Sequence, residues 1–264
     1  MRWSAATECL VPLQVDGAGQ ALYCVHAIGG TVGFFAPVAR RLAGIRDVYG
    51  LQCHGISPGH EPDRTIEAMA ARYVEAIITA QPAGPYEVLG YSMGGLVAFE
   101  IARQLSARGR PVGLTGILDT APAGVPVPEV STEQALGLIS RAIGFHPPYQ
   151  GDPGRPDDEQ VAAFLAEAVR RGILPAAFTA ADLRPMIDVY AVNGRAGSRY
   201  RPAAPYRGQL HCLFTVGSGL LSYVDEWRRC ALGGVTVDVL DADHFALMHE
   251  QHAAEVVETL RGWL

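Results

Sequence analysis

The sequence predicts an α/β fold, with a mostly parallel central sheet that is covered on both faces by helices. One reason is that short apolar runs alternate with amphipathic segments of helical spacing over most of the 264 residues. A second is a Gly-x-Ser-x-Gly turn that joins one apolar run directly to a helical segment. A third observation concerns the stretch 121–193, which carries three helix signals and no clear strand between them. This stretch predicts a helical insertion within the α/β fold.

Before the Gly-x-Ser-x-Gly turn, the chain has three apolar runs that indicate strands. Pro12 lies in the first run, and because proline has no N–H to give to a neighbour, this strand is expected at an edge of the sheet. The predicted strands are 10–14, 21–25 and 48–52, and the predicted helices are 35–42 and 65–80. The carboxyl ends of parallel strands meet at one edge, where α/β proteins bind their ligands.

Residues 86–95 predict a sharp turn from a strand into a helix, with Ser92 at its tip. The apolar run before the serine is typical of a strand, and helical spacing holds from 96 to 108. Because Gly90 and Gly94 lack side chains, neighbouring backbone can pass close to the turn. The Ser92 hydroxyl is therefore a candidate nucleophile, exposed at the carboxyl edge of the sheet.

Beyond the turn, a further strand ends at Asp119, and helical segments then interrupt the alternation. Residues 131–134 have the sequence of a capping box, which indicates the start of a helix. We expect the segment 121–193 to form a helical lid, inserted within a single domain that spans 1–264. The remaining predicted elements are strands 114–118, 209–215 and 235–240 and a closing helix over 252–263.

Composition excludes several classes of function. With a net charge of −6 the chain has no excess of basic residues, so nucleic acid is not an expected ligand. The sequence contains no lysine, which rules out a Schiff-base lysine, a P-loop lysine and a pyridoxal-phosphate attachment site. Five scattered cysteines predict reduced thiols, and no apolar segment is long enough to span a bilayer. These features predict a cytoplasmic domain without a membrane partner.

A serine hydroxyl needs a base to take its proton, and among the histidines His244 is the best placed. It lies in the loop after the last predicted strand, so a Ser, acid, His order along the chain is available. His26, which follows the second strand, is expected to order the turn there. His249 and His252 lack the i, i+4 register of a zinc-binding helix, and no metal site is predicted. The other histidines are expected to be structural or solvent-facing: His54, His60, His146 and His211.

Two carboxylates compete to orient the imidazole of His244. Asp119 ends the strand that directly follows the Ser92 helix, at the expected ligand edge. Asp225 follows the next strand, but its surroundings have the pattern of an exposed helix start. We therefore predict Asp119. An oxyanion hole needs two N–H donors, and the predicted donors are the amides of Met93 and Ile28.

Several of these segments together resemble one family, the type I thioesterase domains that release chains from nonribosomal peptide synthetases and, more distantly, polyketide synthases. The segments that carry the resemblance are Cys24–Gly30, Gln81–Tyr86, Gly90–Gly95, Leu118–Thr120 and Asp243–Met248. The resemblance implies an α/β-hydrolase fold with a helical lid and an acid after the strand that follows the turn, which matches Asp119. Ala27 departs from the family pattern, where proline is frequent.

The resemblance also implies a substrate and a partner. A peptidyl thioester would arrive on the phosphopantetheine arm of an acyl or peptidyl carrier protein, and Ser92 would take the acyl chain. Water, or an amine or hydroxyl of the chain itself, would then release it by hydrolysis or macrocyclisation, and both outcomes stay open. No cofactor is expected in this domain. The alternatives are an editing thioesterase, a small-molecule esterase and a non-catalytic binding module of the same fold.

Overall fold

A computed structural model describes residues 7–17, 19–57, 59–125, 130–145, 147–152 and 154–264. His146, which the sequence analysis expects to be structural or solvent-facing, lies outside the described residues. None of the described helices is both long enough and apolar enough to cross a membrane. All five cysteines are free thiols.

The strands of the described residues form one sheet in the order β1-β3-β2-β4-β5-β6-β7. β1 runs antiparallel to β3, and every other neighbouring pair is parallel, so the predicted mostly parallel sheet is confirmed. The strand that contains Pro12 lies at an edge, as its missing N–H requires. The strands are β1 Leu10–Gln14, β2 Ala21–Val25, β3 Asp47–Leu51, β4 Tyr86–Tyr91, β5 Val112–Leu118, β6 Leu210–Thr215 and β7 Val235–Leu240.

The helices agree with the predicted ones except at some of their ends. Their bounds are α1 Ala36–Arg41, α2 Ile66–Ala80, α3 Met93–Ala107, α4 Thr132–Ala142, α5 Asp157–Arg170, α6 Ala180–Arg199, α7 Val224–Cys230 and α8 Ala253–Trp263. α3 begins at Met93, directly after Ser92, as the strand-to-helix turn predicts, and before the run of helical spacing that starts at residue 96. Gly94 and Gly95 have low helix propensity, but their backbone packs against neighbouring segments, and this packing outweighs propensity.

Two apolar clusters flank the sheet. Every residue of β2, β3 and β4 is buried, as expected for central parallel strands that are covered on both faces. On one face the core contains α2, α3 and Trp227, and on the other it contains α1 and α8. The ends of β4 and β5 are thereby held rigidly beside each other, and this is where Ser92 and Asp119 lie.

The helices α4, α5 and α6 share a third apolar cluster of their own. It includes the stacked pair Phe145 and Phe164, with ring centres 5.3 Å apart. The predicted capping box at Ser131 is present and starts α4. α6 continues to Arg199, so the predicted end of the lid at 193 falls inside this helix.

Candidate active site

The turn after β4 holds Ser92 in a strained backbone conformation, with φ 56° and ψ −131°. A side chain at Gly90 would lie 2.1 Å from the carbonyl oxygen of Gly94, and one at Gly94 would lie 2.3 Å from that of His26. Only glycine permits these close approaches. The Ser92 amide donates to the Leu118 carbonyl at 2.9 Å, which ties the turn to the end of β5.

Ser92, His244 and Asp119 come together at this edge of the sheet. His244 Nε2 lies 3.0 Å from Ser92 Oγ, and His244 Nδ1 lies 2.7 Å from Asp119 Oδ2. Because an ionised carboxylate only accepts, Nδ1 carries the proton, and Nε2 is free to accept from the Ser92 hydroxyl. This is the arrangement in which a histidine can take a proton from a serine.

Asp119 is completely buried and is held by four hydrogen bonds. Burial by itself would raise its pKa, but the hydrogen bonds from His244, the Thr215 amide and Ser218 outweigh burial, and the pKa is lowered. The donors besides His244 are the Thr215 amide at 2.8 Å, the Thr215 hydroxyl at 2.9 Å and the Ser218 hydroxyl at 2.8 Å. Asp119 therefore stays an ionised acceptor beside the imidazole.

Asp225, the competing carboxylate, lies elsewhere. It is exposed in the first turn of α7 and accepts a hydrogen bond from Arg228 at 2.8 Å. It makes no contact with His244 among the hydrogen bonds of the described residues. Its sequence pattern, an acidic first turn of an exposed helix, predicted this position correctly.

The predicted oxyanion donors line a common cavity with Ser92. Met93 is the first residue of α3, so its N–H has no acceptor within the helix. Ile28 follows Ala27, whose carbonyl accepts from the Gly30 amide at 3.0 Å. Because a peptide unit is planar, a fixed Ala27 carbonyl also fixes the direction of the Ile28 N–H.

His26 is the second group that holds the Ala27 carbonyl. Its Nδ1 lies 2.7 Å from that oxygen, and because a carbonyl only accepts, Nδ1 carries the proton. Nε2 then accepts from the Tyr73 hydroxyl, also at 2.7 Å. Burial lowers the pKa of His26 to about 4, so the ring stays neutral near neutral pH. The expectation that His26 orders this turn agrees with its contacts.

A pH-dependent stability follows from His26. Above the ordinary His pKa of 6.5, neither the folded nor the unfolded chain is protonated at this ring. As the pH falls from 6.5 to about 4, the unfolded chain binds a proton that the folded chain does not. We expect the free energy of unfolding to drop by roughly 3 kcal/mol over this window through His26 alone.

Denaturant titrations at a series of pH values, on the wild type and on His26→Gln, measure this contribution. Glutamine can still donate to the Ala27 carbonyl but does not titrate, so the variant should lose stability less steeply in acid. Parallel profiles for the two proteins would contradict a buried, neutral imidazole.

The helix α6 adds a contact with the turn that carries Ile28, which the sequence analysis missed. Asn193, completely buried on α6, donates from Nδ2 to the Ile28 carbonyl at 2.8 Å. The Tyr190 ring lies so close to Gly29 that a side chain there would be 2.5 Å from its hydroxyl oxygen. One sequence feature could have indicated this contact: an asparagine, which has poor helix propensity, lies inside an apolar helical pattern.

Two cavities open beside Ser92 and share Ile28 and His244. The smaller, of about 160 Å³, lies between α3 and α6 and is lined by Leu96, Val125 and Leu220 among others. The larger, of about 500 Å³, lies under α4 and α6. A reacting carbonyl at Ser92 would therefore have space on two sides.

A separate polar cluster lies beside β1. Glu8 Oε1 is 2.9 Å from His54 Nε2, and the His54 and His60 rings stack with centres 4.2 Å apart. Among the described residues this is the one group with metal-ligand spacing, and it shares no residue with either cavity. The ring planes differ by 10°, so the two imidazoles do not point at a common centre. The sequence analysis expects both histidines to be structural or solvent-facing, and no local pattern links them to Glu8, which is distant along the chain.

This sheet order, with Ser92 on the turn after β4 and His244 after β7, is the α/β-hydrolase fold. A family model described as a thioesterase domain matches residues 20–264, and the chain belongs to this family. A dimodular nonribosomal peptide synthase of Bacillus subtilis is 29% identical over 97% of this chain. The nonribosomal peptide synthetase btyA of Aspergillus terreus is 30% identical over 95% of it. The chain spans only 11% and 29% of these two relatives.

Solved structures agree with this assignment. A four-domain nonribosomal peptide synthetase, holo-AB3403 bound to AMP and glycine, has a TM-score of 0.82 and 26% identity. The match covers 96% of this chain and 20% of that one. The Vlm2 thioesterase domain bound with a dodecadepsipeptide shares the fold, with a TM-score of 0.69 and 22% identity over 97% of this chain and 98% of its own. The NocB thioesterase domain does so with a TM-score of 0.63 and 24% identity over 92% and 94%.

Proposed function

We propose that this domain releases a peptidyl chain from the phosphopantetheine thioester of a carrier protein, through an ester on Ser92. One observation carries the proposal: a continuous line of hydrogen bonds from Asp119 through His244 to Ser92, at a strained turn between two cavities. Membership of the thioesterase domain family supports a thioester as the bond that is attacked.

In the first half of the reaction, Ser92 Oγ attacks the thioester carbonyl and its proton passes to His244 Nε2. The carbon–sulfur bond then breaks, and the proton goes from His244 to the departing sulfur of the arm. Asp119 stabilises the imidazolium that exists between these two transfers. The products of this half are the Ser92 ester and a free thiol on the carrier.

The negative charge on the carbonyl oxygen needs donors that are already in place. The amides of Met93 and Ile28 are the proposed pair, and the start of α3 adds the positive end of its dipole. His26 and the Gly30 amide hold the peptide that carries the Ile28 N–H, and Asn193 holds the next peptide. Residues from the turn after β2 and from the proposed lid thus act as positioning groups for one donor.

In the second half, a nucleophile attacks the Ser92 ester. His244 takes the proton of a water molecule, or of an amine or hydroxyl of the bound chain, and returns it to Ser92 Oγ. Water gives a linear acid, and an internal nucleophile gives a ring. The proposed lid, 121–193 with the rest of α6, would exclude water when a ring is formed.

Lining groups of both cavities are mainly apolar, which suits a hydrophobic peptidyl or polyketide-peptide chain better than a small polar ester. A thioester is an activated acyl donor, so the proposed steps need no metal or redox cofactor in this domain. The implied partner is a carrier protein that bears the phosphopantetheine arm.

Mass spectrometry of products from a panel of peptidyl thioesters tests this function. We expect the masses of linear acids or macrocycles, and an intact-protein mass increased by the acyl group. Rapid turnover of p-nitrophenyl esters without turnover of thioesters would favour an esterase. If a fluorophosphonate failed to label Ser92, the domain would instead be a non-catalytic binding module.

A further inference from the structure

The larger cavity beside Ser92 is apolar except at a few points, and one of them carries a permanent charge. Among the described residues that line either cavity, Arg141 is the only arginine, and Asp119 is the only carboxylate. The surrounding lining is rich in aromatic rings: Phe34, Tyr91, Phe145, Tyr190 and Phe245. A cation in such surroundings can select one charged group on a bound chain.

Arg141 is close to the reacting groups. It lies in the last turn of α4, and its guanidinium carbon is 5.2 Å from the centre of the Phe245 ring. The Phe245 ring in turn lies edge-on to His244, with ring centres 5.3 Å apart. A single aromatic ring therefore separates the guanidinium from the imidazole that faces Ser92.

The guanidinium has no carboxylate partner within the parts of the chain that the structure describes. A cation in the last turn of a helix also complements the helix dipole, and this would explain an arginine at position 141. The dipole alone does not require the side chain to lie over Phe245 on the cavity wall. The stacked position holds the planar group while leaving its N–H donors available.

We propose that Arg141 forms a subsite for a carboxylate that the acyl chain carries close to its thioester end. This inference rests on the proposed function. A guanidinium binds a carboxylate through two parallel hydrogen bonds, and the aromatic wall reduces competition from water on one side. The preferred substrate is thus a chain with an acidic residue near the released carbonyl.

The phosphate of the carrier's arm is another anion that could meet an arginine. It is separated from the thioester sulfur by two amide units, whereas Arg141 is one ring away from His244. The position of the guanidinium thus favours an anion near the reacting carbonyl. The test must still distinguish the two sources.

The experiment compares two N-acetylcysteamine thioesters that contain no phosphate. Their acyl chains are identical except that the residue next to the thioester end bears a carboxylate in one and the isosteric carboxamide in the other. For the wild type we expect kcat/KM to be about tenfold higher for the carboxylate, the low end for a charged hydrogen bond because Arg141 is exposed and solvent screens its charge. This preference should weaken as the ionic strength rises.

Three variants identify the source of the preference. Arg141→Gln should turn over both chains at the rate that the wild type shows for the carboxamide, and Arg141→Lys should keep part of the preference. Arg170→Gln is the matched control, because it removes an exposed lid arginine that pairs with Glu167 outside the cavities. It should keep the full preference.

An unchanged preference in Arg141→Gln would overturn the proposal. It would also be overturned if Arg141→Gln slowed only the phosphopantetheine thioester of the carboxamide chain, which would assign the anion to the arm. A matched pair of fluorophosphonates, one with the carboxylate and one with the carboxamide, measures the same preference as a rate of Ser92 labelling. If no thioester were turned over but this pair still depended on Arg141, the subsite would stand and the proposed thioesterase activity would fail.

Discussion

Replacing Ser92 with alanine is expected to lower kcat/KM for a peptidyl thioester by about 10⁵-fold, because no acyl ester can form. The amides of Met93 and Ile28 would remain, and they account for the residual rate over the uncatalysed reaction. Steady-state kinetics with a cysteamine thioester measures this loss. The intact-protein mass should show no acyl adduct in the variant.

The turn itself should survive this substitution. Its backbone contacts use the Ser92 amide and carbonyl, which bond to the Leu118 carbonyl and the Thr120 hydroxyl, and not Oγ. Ser222→Ala is a suitable control, since Ser222 is exposed and, among the contacts of the described residues, its hydroxyl donates only to the Gly219 carbonyl, 3 residues earlier. A Ser92→Ala protein that is folded and still turns over the thioester near the wild-type rate would disprove the Ser92 ester.

Asp119→Asn is expected to lower kcat by about 10⁴-fold, while Asp225→Asn should leave it near the wild-type value. An asparagine amide can donate to His244 Nδ1, which places the imidazole proton on Nε2 facing Ser92. The ring can then no longer accept the serine proton. Asp225 is exposed and bonds only to Arg228 among its described contacts, so its charge does not act on the imidazole.

Asp119→Asn also changes a buried hydrogen-bond group, so folding has to be measured separately. Kinetics should be taken well below the unfolding midpoint of the variant, with the rate of fluorophosphonate labelling as a second readout. Loss of activity in Asp225→Asn, together with retained activity in Asp119→Asn, would show that the acid had been assigned to the wrong strand.

Much of the site follows from local sequence. The strained turn depends on Gly90, Ser92 and Gly94, which are separated by one residue each, so their spacing alone indicates its shape. Met93 is then placed by being the next residue. Asp119 could be chosen because β5 follows α3 directly and pairs with β4, so its end lies beside Ser92.

Contacts between distant elements were harder to foresee. Asn193 and Ile28 are 165 residues apart in sequence, and no local pattern indicates which face of α6 will meet the turn that carries Ile28. The same holds for Arg141 on α4, whose contact with Phe245, the residue after His244, joins elements far apart in the chain. The predicted lid ends at 193, inside α6, because helical spacing continues smoothly to Arg199 and gives no boundary there.

The sequence by itself determined the order of strands and helices, the turn at Ser92 and the residue types available for catalysis, because these depend on neighbours along the chain. Only the tertiary structure decided which groups meet. His244 lies 152 residues from Ser92 and 125 from Asp119, and their hydrogen bonds exist because the ends of neighbouring strands are packed to one edge. The bond from Asn193 on α6 to Ile28 and the position of Arg141 on the cavity wall arise in the same way. Both depend on how helices pack, and the separation of residues along the chain does not indicate that packing.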